Sequence, residues 1–145
     1  NWNLLKTNRD IYEFTKAVIA FRKSHPVFHM ATEPKVMDYL SCGRPDVSYH
    51  GVKAWRPEFE NFRRQIGIMY CGEYGKKPDG TADDSFFVAY NMHWEAHEFA
   101  LPALKKQMKW YQVAGTEEMP DEAECLKEQK MIEVKARTII LLQGR

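Results

Sequence analysis

The chain has almost no excess charge of either sign, since 21 lysines and arginines meet 20 acids and leave a formal net charge of +1. That balance points away from nucleic acid as a partner and from an acidic solvating tail. Cysteine is scarce as well. Cys42, Cys71 and Cys125 are an odd number with no short metal or redox spacing between them, so a reducing compartment is the simpler reading. A disulfide between two of them depends on Cα geometry, which separation along the chain does not give. No run is long and apolar enough to span a bilayer. The start lacks a basic stretch leading into an apolar one with a small-residue cleavage site. The expectation is a soluble, cytoplasmic protein without a membrane partner, although a first residue of Asn1 rather than Met leaves room for a targeting segment upstream. Also missing are a Gly-x-Ser-x-Gly elbow, a phosphate-cradling Gly-rich loop, an internal repeat and any low-complexity tract.

Short strands are what the sequence does have. In Phe86 to Pro102 a polar, aromatic connection separates two of them: Phe86, Val88 and Tyr90 share one face of a period-two pattern, as do His97, Phe99 and Leu101. Pro102 cannot donate to a ladder and stops the second strand. Before these, Ile11, Phe14, Val18 and Phe21 recur at helical spacing after a capping-box-like Thr7 and Asp10. His25-Pro26 ends that helix, because Pro biases the preceding residue away from the helical region. Beyond Pro34, Val36 to Leu40 and Val47 to Gly51 are short runs divided by the turn signal Gly43-Arg44-Pro45. Arg64 to Tyr70 reads as a longer strand in which Gly67 marks a bulge or a close backbone approach. Cys71 to Ser85 reads as a loop. Strands follow at Trp110 to Ala114, Met131 to Val134 and Arg137 to Gln143, with an acidic loop through Cys125 that contains Glu117, Glu118, Asp121, Glu122 and Glu124. Many close-set strands after one amphipathic helix predict a mainly β fold, an antiparallel Greek-key-like sandwich, and the lack of alternating helices argues against a parallel sheet.

Chemistry-bearing residues are few. His93-Trp94-Glu95-Ala96-His97 spaces two imidazoles four apart, a metal-ligand spacing on a helix. Here the residues lie between strands, the order is not His-Glu-x-x-His and no third ligand is obvious, so a strand connection is the reading and no metal site is expected. His50 before Gly51 reads as a structural turn or a buried, hydrogen-bonded ring rather than a base. Cys71 and Cys125 would need a nearby His to act as nucleophiles, and nothing in sequence supplies one. Buried or idle thiols are the expectation. No cofactor is implied.

Five stretches in register resemble the C-terminal β-domain of debranching enzymes of the α-amylase superfamily, the isoamylase, pullulanase and glycogen-debranching group. Ala20-Phe21-Arg22-Lys23-Ser24-His25-Pro26-Val27-Phe28 resembles the end of the last helix of the catalytic barrel, and Tyr49-His50-Gly51-Val52 with Trp55 resembles the His-Gly segment that follows. Tyr90-Asn91 and Phe99-Ala100-Leu101-Pro102 match the strand ends. Trp110 falls where a Trp follows them, and Ala136-Arg137-Thr138-Ile139-Ile140-Leu141-Leu142 resembles the closing strand, with Thr where Ser is more usual.

The resemblance implies residues 1–30 as the last barrel helix and its connection, and residues 31–145 as the β-sandwich. It implies a parent enzyme that hydrolyses α-1,6 branch linkages of glycogen or starch with retention. No carboxylate here sits in a motif like those of the barrel strands, so no catalytic residue is expected in this chain and the pair of carboxylates that such chemistry needs would lie upstream. The expected partner is that barrel. Trp94, Trp55 and Trp110, with Tyr111, are candidate α-glucan platforms, Trp94 first because polar residues flank it. A stand-alone glucan-binding module is one alternative. Another is an interaction domain docking through its helix, and self-association through Ile11, Phe14, Val18 and Phe21 follows if the stripe lies uncovered.

Overall fold

A computed structural model of the chain describes residues 2–116, 119–120 and 122–145, so Asn1 and three acids of the acidic loop, Glu117, Glu118 and Asp121, lie outside the described residues. Two helices open it, α1 (Leu4–Thr7) and α2 (Arg9–Ser24), separated by Asn8. Thr7 therefore ends the first helix instead of capping the second. Asn8 holds the cap position without a side-chain hydrogen bond, and the expected Thr7–Asp10 start is not formed. The other end is as the sequence predicts, since His25 before Pro26 is extended at φ −118° and ψ 97°. Among the described residues no helix is long and apolar enough to cross a membrane.

Apart from two single 3-10 turns, Pro26–Phe28 and Gly72–Tyr74, and loops, the other described elements are antiparallel strands: β1 (Val47–His50), β2 (Gln65–Tyr70), β3 (Ser85–Asn91), β4 (His97–Ala100), β5 (Trp110–Gly115), β6 (Glu124–Cys125), β7 (Met131–Val134) and β8 (Thr138–Gly144). Six of them form a sheet in the order β1-β2-β3-β8-β5-β6, and β4 pairs with β7 as a second, smaller sheet. The closing strand β8 returns from the far end of the chain to lie between β3 and β5, which gives the sandwich its non-sequential order. Val36 to Leu40 is not a strand. The buried carboxylate of Asp46 takes the amides of Lys35 (2.7 Å), Met37 (3.3 Å) and Val47 (2.8 Å), and Val36 is left at φ +54°. Satisfied by a side chain, these amides are not offered to a ladder.

The core lies between the two sheets. Met69, Phe87, Ala89, Ile140 and Leu142 enter it from the large sheet, Phe99 and Val134 from the small one, and Leu101 and Trp110 close it. Period two holds on β4: Phe99 is fully buried, Glu98 is exposed, and Leu101 just beyond the strand is again buried. At Gly67 there is no bulge but a close approach, because a Cβ there would meet the Phe87 ring at 2.4 Å. The bulge falls instead on β5, between Gln112 and Ala114.

Candidate functional site

Period two places a second apolar set on the opposite face of the large sheet. Tyr70, Phe86, Val88, Tyr90, Ile139 and Leu141 alternate with the core residues of β2, β3 and β8. An antiparallel sheet with one face toward water is polar on that face; this one is not. Helix α2 lies over part of it, held at its last turn. The ring of Phe21 meets Phe86 edge-on at 5.6 Å and Phe28 at 6.2 Å, while His25 Nδ1 hydrogen-bonds Asp83 Oδ1 at 2.8 Å. Asp83 also accepts the Val27 and Asp84 amides, so the helix exit is pinned to the start of β3. Upstream of Phe21 the helix stands away. None of its residues is buried, and between Phe14, Val18 and the sheet lies an open apolar groove of about 540 Å³. The stripe predicted from helical spacing is therefore largely uncovered.

A second feature sits at one end of the sheet, where the β1–β2 and β3–β4 connections emerge together, joined by the Met92 amide donating to the Arg64 carbonyl at 2.8 Å. Trp94 is 62% exposed there, with the Arg64 guanidinium 5.5 Å from its ring centre. Trp55, 46% exposed, stands at φ +64° with its amide bound to His50. Two aromatics outside the sequence-predicted set are the most open in this region: Phe59 and Phe62, 68% and 69% exposed, the first edge-on to Tyr49 at 6.0 Å. The sequence does carry a signal for them, since each is flanked by Glu, Asn or Arg at spacing that fits neither helix nor strand. Trp110 is corrected: it is 1% exposed, with its indole N–H donating to the Pro102 carbonyl at 3.1 Å, so its ring offers no face to a sugar. Tyr111 is half-buried beneath the Arg145 guanidinium.

The remaining candidates have structural surroundings. His50 is fully buried, and burial pushes its pKa down to about 4, so the ring is neutral. Burial pushes the Cys71 thiol up to about 11, which denies it the thiolate a nucleophile needs; its sulfur is 4.0 Å from that of Cys42. All three cysteines are free thiols. His93, Glu95 and His97 are brought together, with one potential ligand atom of each within 4.8 Å of the others.

No family model matches the chain. An isoamylase from Flavobacterium sp. is 27% identical over 132 residues, which cover 79% of this chain and 15% of that protein. Among solved structures, a pullulanase from Bacillus acidopullulyticus superposes over 99% of this chain and 15% of its own, with a TM-score of 0.64 and 14% sequence identity. The chain thus spans about one seventh of the length of the relatives it matches. With the isoamylase the resemblance is one of sequence, and with the pullulanase one of fold. The resemblance to a debranching-enzyme β-domain and the antiparallel sandwich that it implied are both borne out.

Proposed function

We propose that the chain is the C-terminal β-domain of an α-1,6-debranching glycoside hydrolase acting on glycogen or starch, with residues 1–30 the last helix of an upstream catalytic barrel and its connection and residues 31–145 the sandwich. The observation that carries the proposal is the large sheet's second apolar face, half-roofed by a helix whose own stripe is open. A sheet that had evolved to stand in water would alternate with polar residues there. The two similarities support the same reading, since each relative named for debranching chemistry is several times longer than the matched region. The domain's role in this account is to stabilise the barrel. Its free thiols and balanced charge fit a cytoplasmic setting.

A second reading rests on the exposed aromatics. Trp94, Trp55, Phe59 and Phe62 offer flat apolar faces at one end of the sandwich, and Arg64 beside Trp94 adds donors for hydroxyls. Contact with α-glucan there would make the domain a rim of the substrate path or a binding module in its own right.

The test is a reducing-end assay with pullulan. The 145-residue chain should release no sugar at any concentration, and the intact protein containing it should. In the intact protein, Phe14→Lys with Val18→Lys should lower the melting temperature far more than in the isolated chain. Equal destabilisation of both would overturn barrel support. Turnover by the isolated chain that disappears on mutating Asp84 or Glu95 would overturn the non-catalytic assignment.

A further inference from the structure

The β3–β4 connection holds a cluster of three donors that barrel support and glucan contact leave unused. It is built on Asn91, which is fully buried at the end of β3. Its amide nitrogen reaches the carbonyls of Glu95 (2.8 Å), Val134 (2.9 Å) and Lys135 (3.0 Å), and its amide oxygen takes the His93 N–H at 3.1 Å. The Arg137 amide donates to the His93 carbonyl at 3.0 Å, which ties the connection to the approach of β8. The backbone under His93, Glu95 and His97 is thus fixed from both sheets. On that base the two imidazoles meet edge to face with ring centres 4.8 Å apart, and the indole of Trp94 stacks on His93 at 4.1 Å.

Two of the donors lack partners among the described residues. His97 Nε2 is buried without a hydrogen bond. The exposed Glu95 carboxylate makes neither a hydrogen bond nor an ion pair there, although its backbone is held at both ends. The contrast is with the other cluster of this kind, His25, Asp83 and Asp84. There the acceptors are already engaged: Asp83 by His25, by two backbone amides and by Lys77, and Asp84 by Gln143 and Lys77.

We infer that His93, Glu95 and His97 form a binding site for a divalent transition-metal ion. Two imidazoles and one carboxylate are a borderline donor set, suited to zinc and its neighbours and poorly suited to magnesium or calcium, which take oxygen. Donors about 2 Å from a tetrahedral ion lie about 3.3 Å apart, so the 4.8 Å cluster has to close. The exposed Glu95 side chain is free to swing inward. One local bond must open. The Glu95 amide donates to His93 Nδ1 at 3.1 Å; an ion on Nδ1 displaces that N–H, and an ion on Nε2 requires Nδ1 to carry the proton. Either route frees the Glu95 amide, and three protein ligands leave the fourth tetrahedral position for water or a ligand.

The experiment is Zn²⁺ titration of the tag-free 145-residue chain by calorimetry, with parallel NMR of the imidazole nitrogens and backbone amides. Saturable binding of one Zn²⁺ per chain is expected, with the His93 and His97 nitrogens and the Glu95 amide proton shifting together. His93→Gln, Glu95→Gln and His97→Gln should each weaken binding at least about tenfold. Glu95→Gln lies on an exposed position and reads the site even if His97→Gln fails to fold, which near-ultraviolet dichroism would show. No saturable binding up to millimolar Zn²⁺ would overturn the proposal. So would binding that leaves the three imidazole and amide signals in place, or that is unaffected by Glu95→Gln and His93→Gln.

Discussion

The backbone N–H of Trp55 donates to Nδ1 of His50 over 2.8 Å, and the two rings meet edge to face at 4.7 Å. With Nδ1 accepting, the ring's single proton sits on Nε2 and points to Ser48 Oγ at 2.9 Å, which leaves no room for a second proton. Burial in the folded chain holds His50 neutral, pushing its pKa down to about 4 from an ordinary 6.5. The unfolded chain takes up a proton in that interval and the folded one does not. Stability contributed by this group is complete above pH 6.5 and is lost as the pH falls toward 4. Between neutral pH and pH 4.5 the loss is on the order of 2 kcal/mol, allowing for partial screening by solvent. Urea unfolding midpoints at neutral pH and near pH 4.5 measure it, and His50→Gln should remove this part of the pH dependence while lowering stability at neutral pH.

Truncating the tryptophans should separate core from surface. Trp110→Ala removes a fully enclosed indole and the donor to the Pro102 carbonyl, and should cost about 3 to 5 kcal/mol. Trp94→Ala, on an exposed ring, should change stability by no more than about 0.5 kcal/mol. Denaturant titration of both variants decides it. The same pair bears on sugar binding, because of these two tryptophans Trp94 has the exposed ring whose emission can respond to maltooligosaccharide.

Most of the strand layout is legible in the residue pattern, and for one reason. Alternation in β3 and β4, and the match of Met131–Val134 to β7, follow from the two-residue period of a strand with a buried face. What the period cannot show is which face meets which layer. Phe86, Val88 and Tyr90 share one face as the period predicts, but it is Phe87 and Ala89 on the other face that point into the core, and the first set meets the helix. Both faces of β3 are apolar, so alternation carries no sign of the difference. Val36 to Leu40 misleads because the carboxylate that satisfies its amides, Asp46, lies six residues beyond its end. The closeness of His93, Glu95 and His97 is not legible in sequence, since the turn that folds Glu95 back depends on Asn91 reaching the carbonyls of Glu95 and, at the end of β7, Val134.

Gly67 supplies a test of the close approach between β2 and β3. Its partner across the ladder is Ala89, and the ring of Phe87 lies over the space where a side chain would stand. Gly67→Ala puts a methyl group 2.4 Å from that ring inside a filled core, where the Phe87 ring can yield only by displacing its neighbours. Overpacking of this kind costs about 1 to 3 kcal/mol. Thermal unfolding of the variant should show that loss, and Phe87→Leu in the same chain should restore part of it. A neutral Gly67→Ala would mean that β2 is free to move away from β3.

The helix stripe gives a direct check on the proposed barrel contact. Ile11, Phe14 and Val18 are 62%, 37% and 40% exposed, and only Phe21 at the helix end is anchored to the sheet. Apolar groups exposed in the folded chain contribute little to its own stability, so Ile11→Ser with Val18→Ser should shift unfolding by less than about 1 kcal/mol. The same groups do drive association, because an open groove next to an open stripe can bury both against a second copy when no barrel is present. Sedimentation velocity over a wide concentration range should show the wild-type chain associating and the double variant monomeric. Exposure is what makes the two effects separable: a buried stripe would give large destabilisation and no change in association. A wild-type chain that stays monomeric throughout, or a double variant that loses several kcal/mol, would remove the reason for placing a barrel against this face.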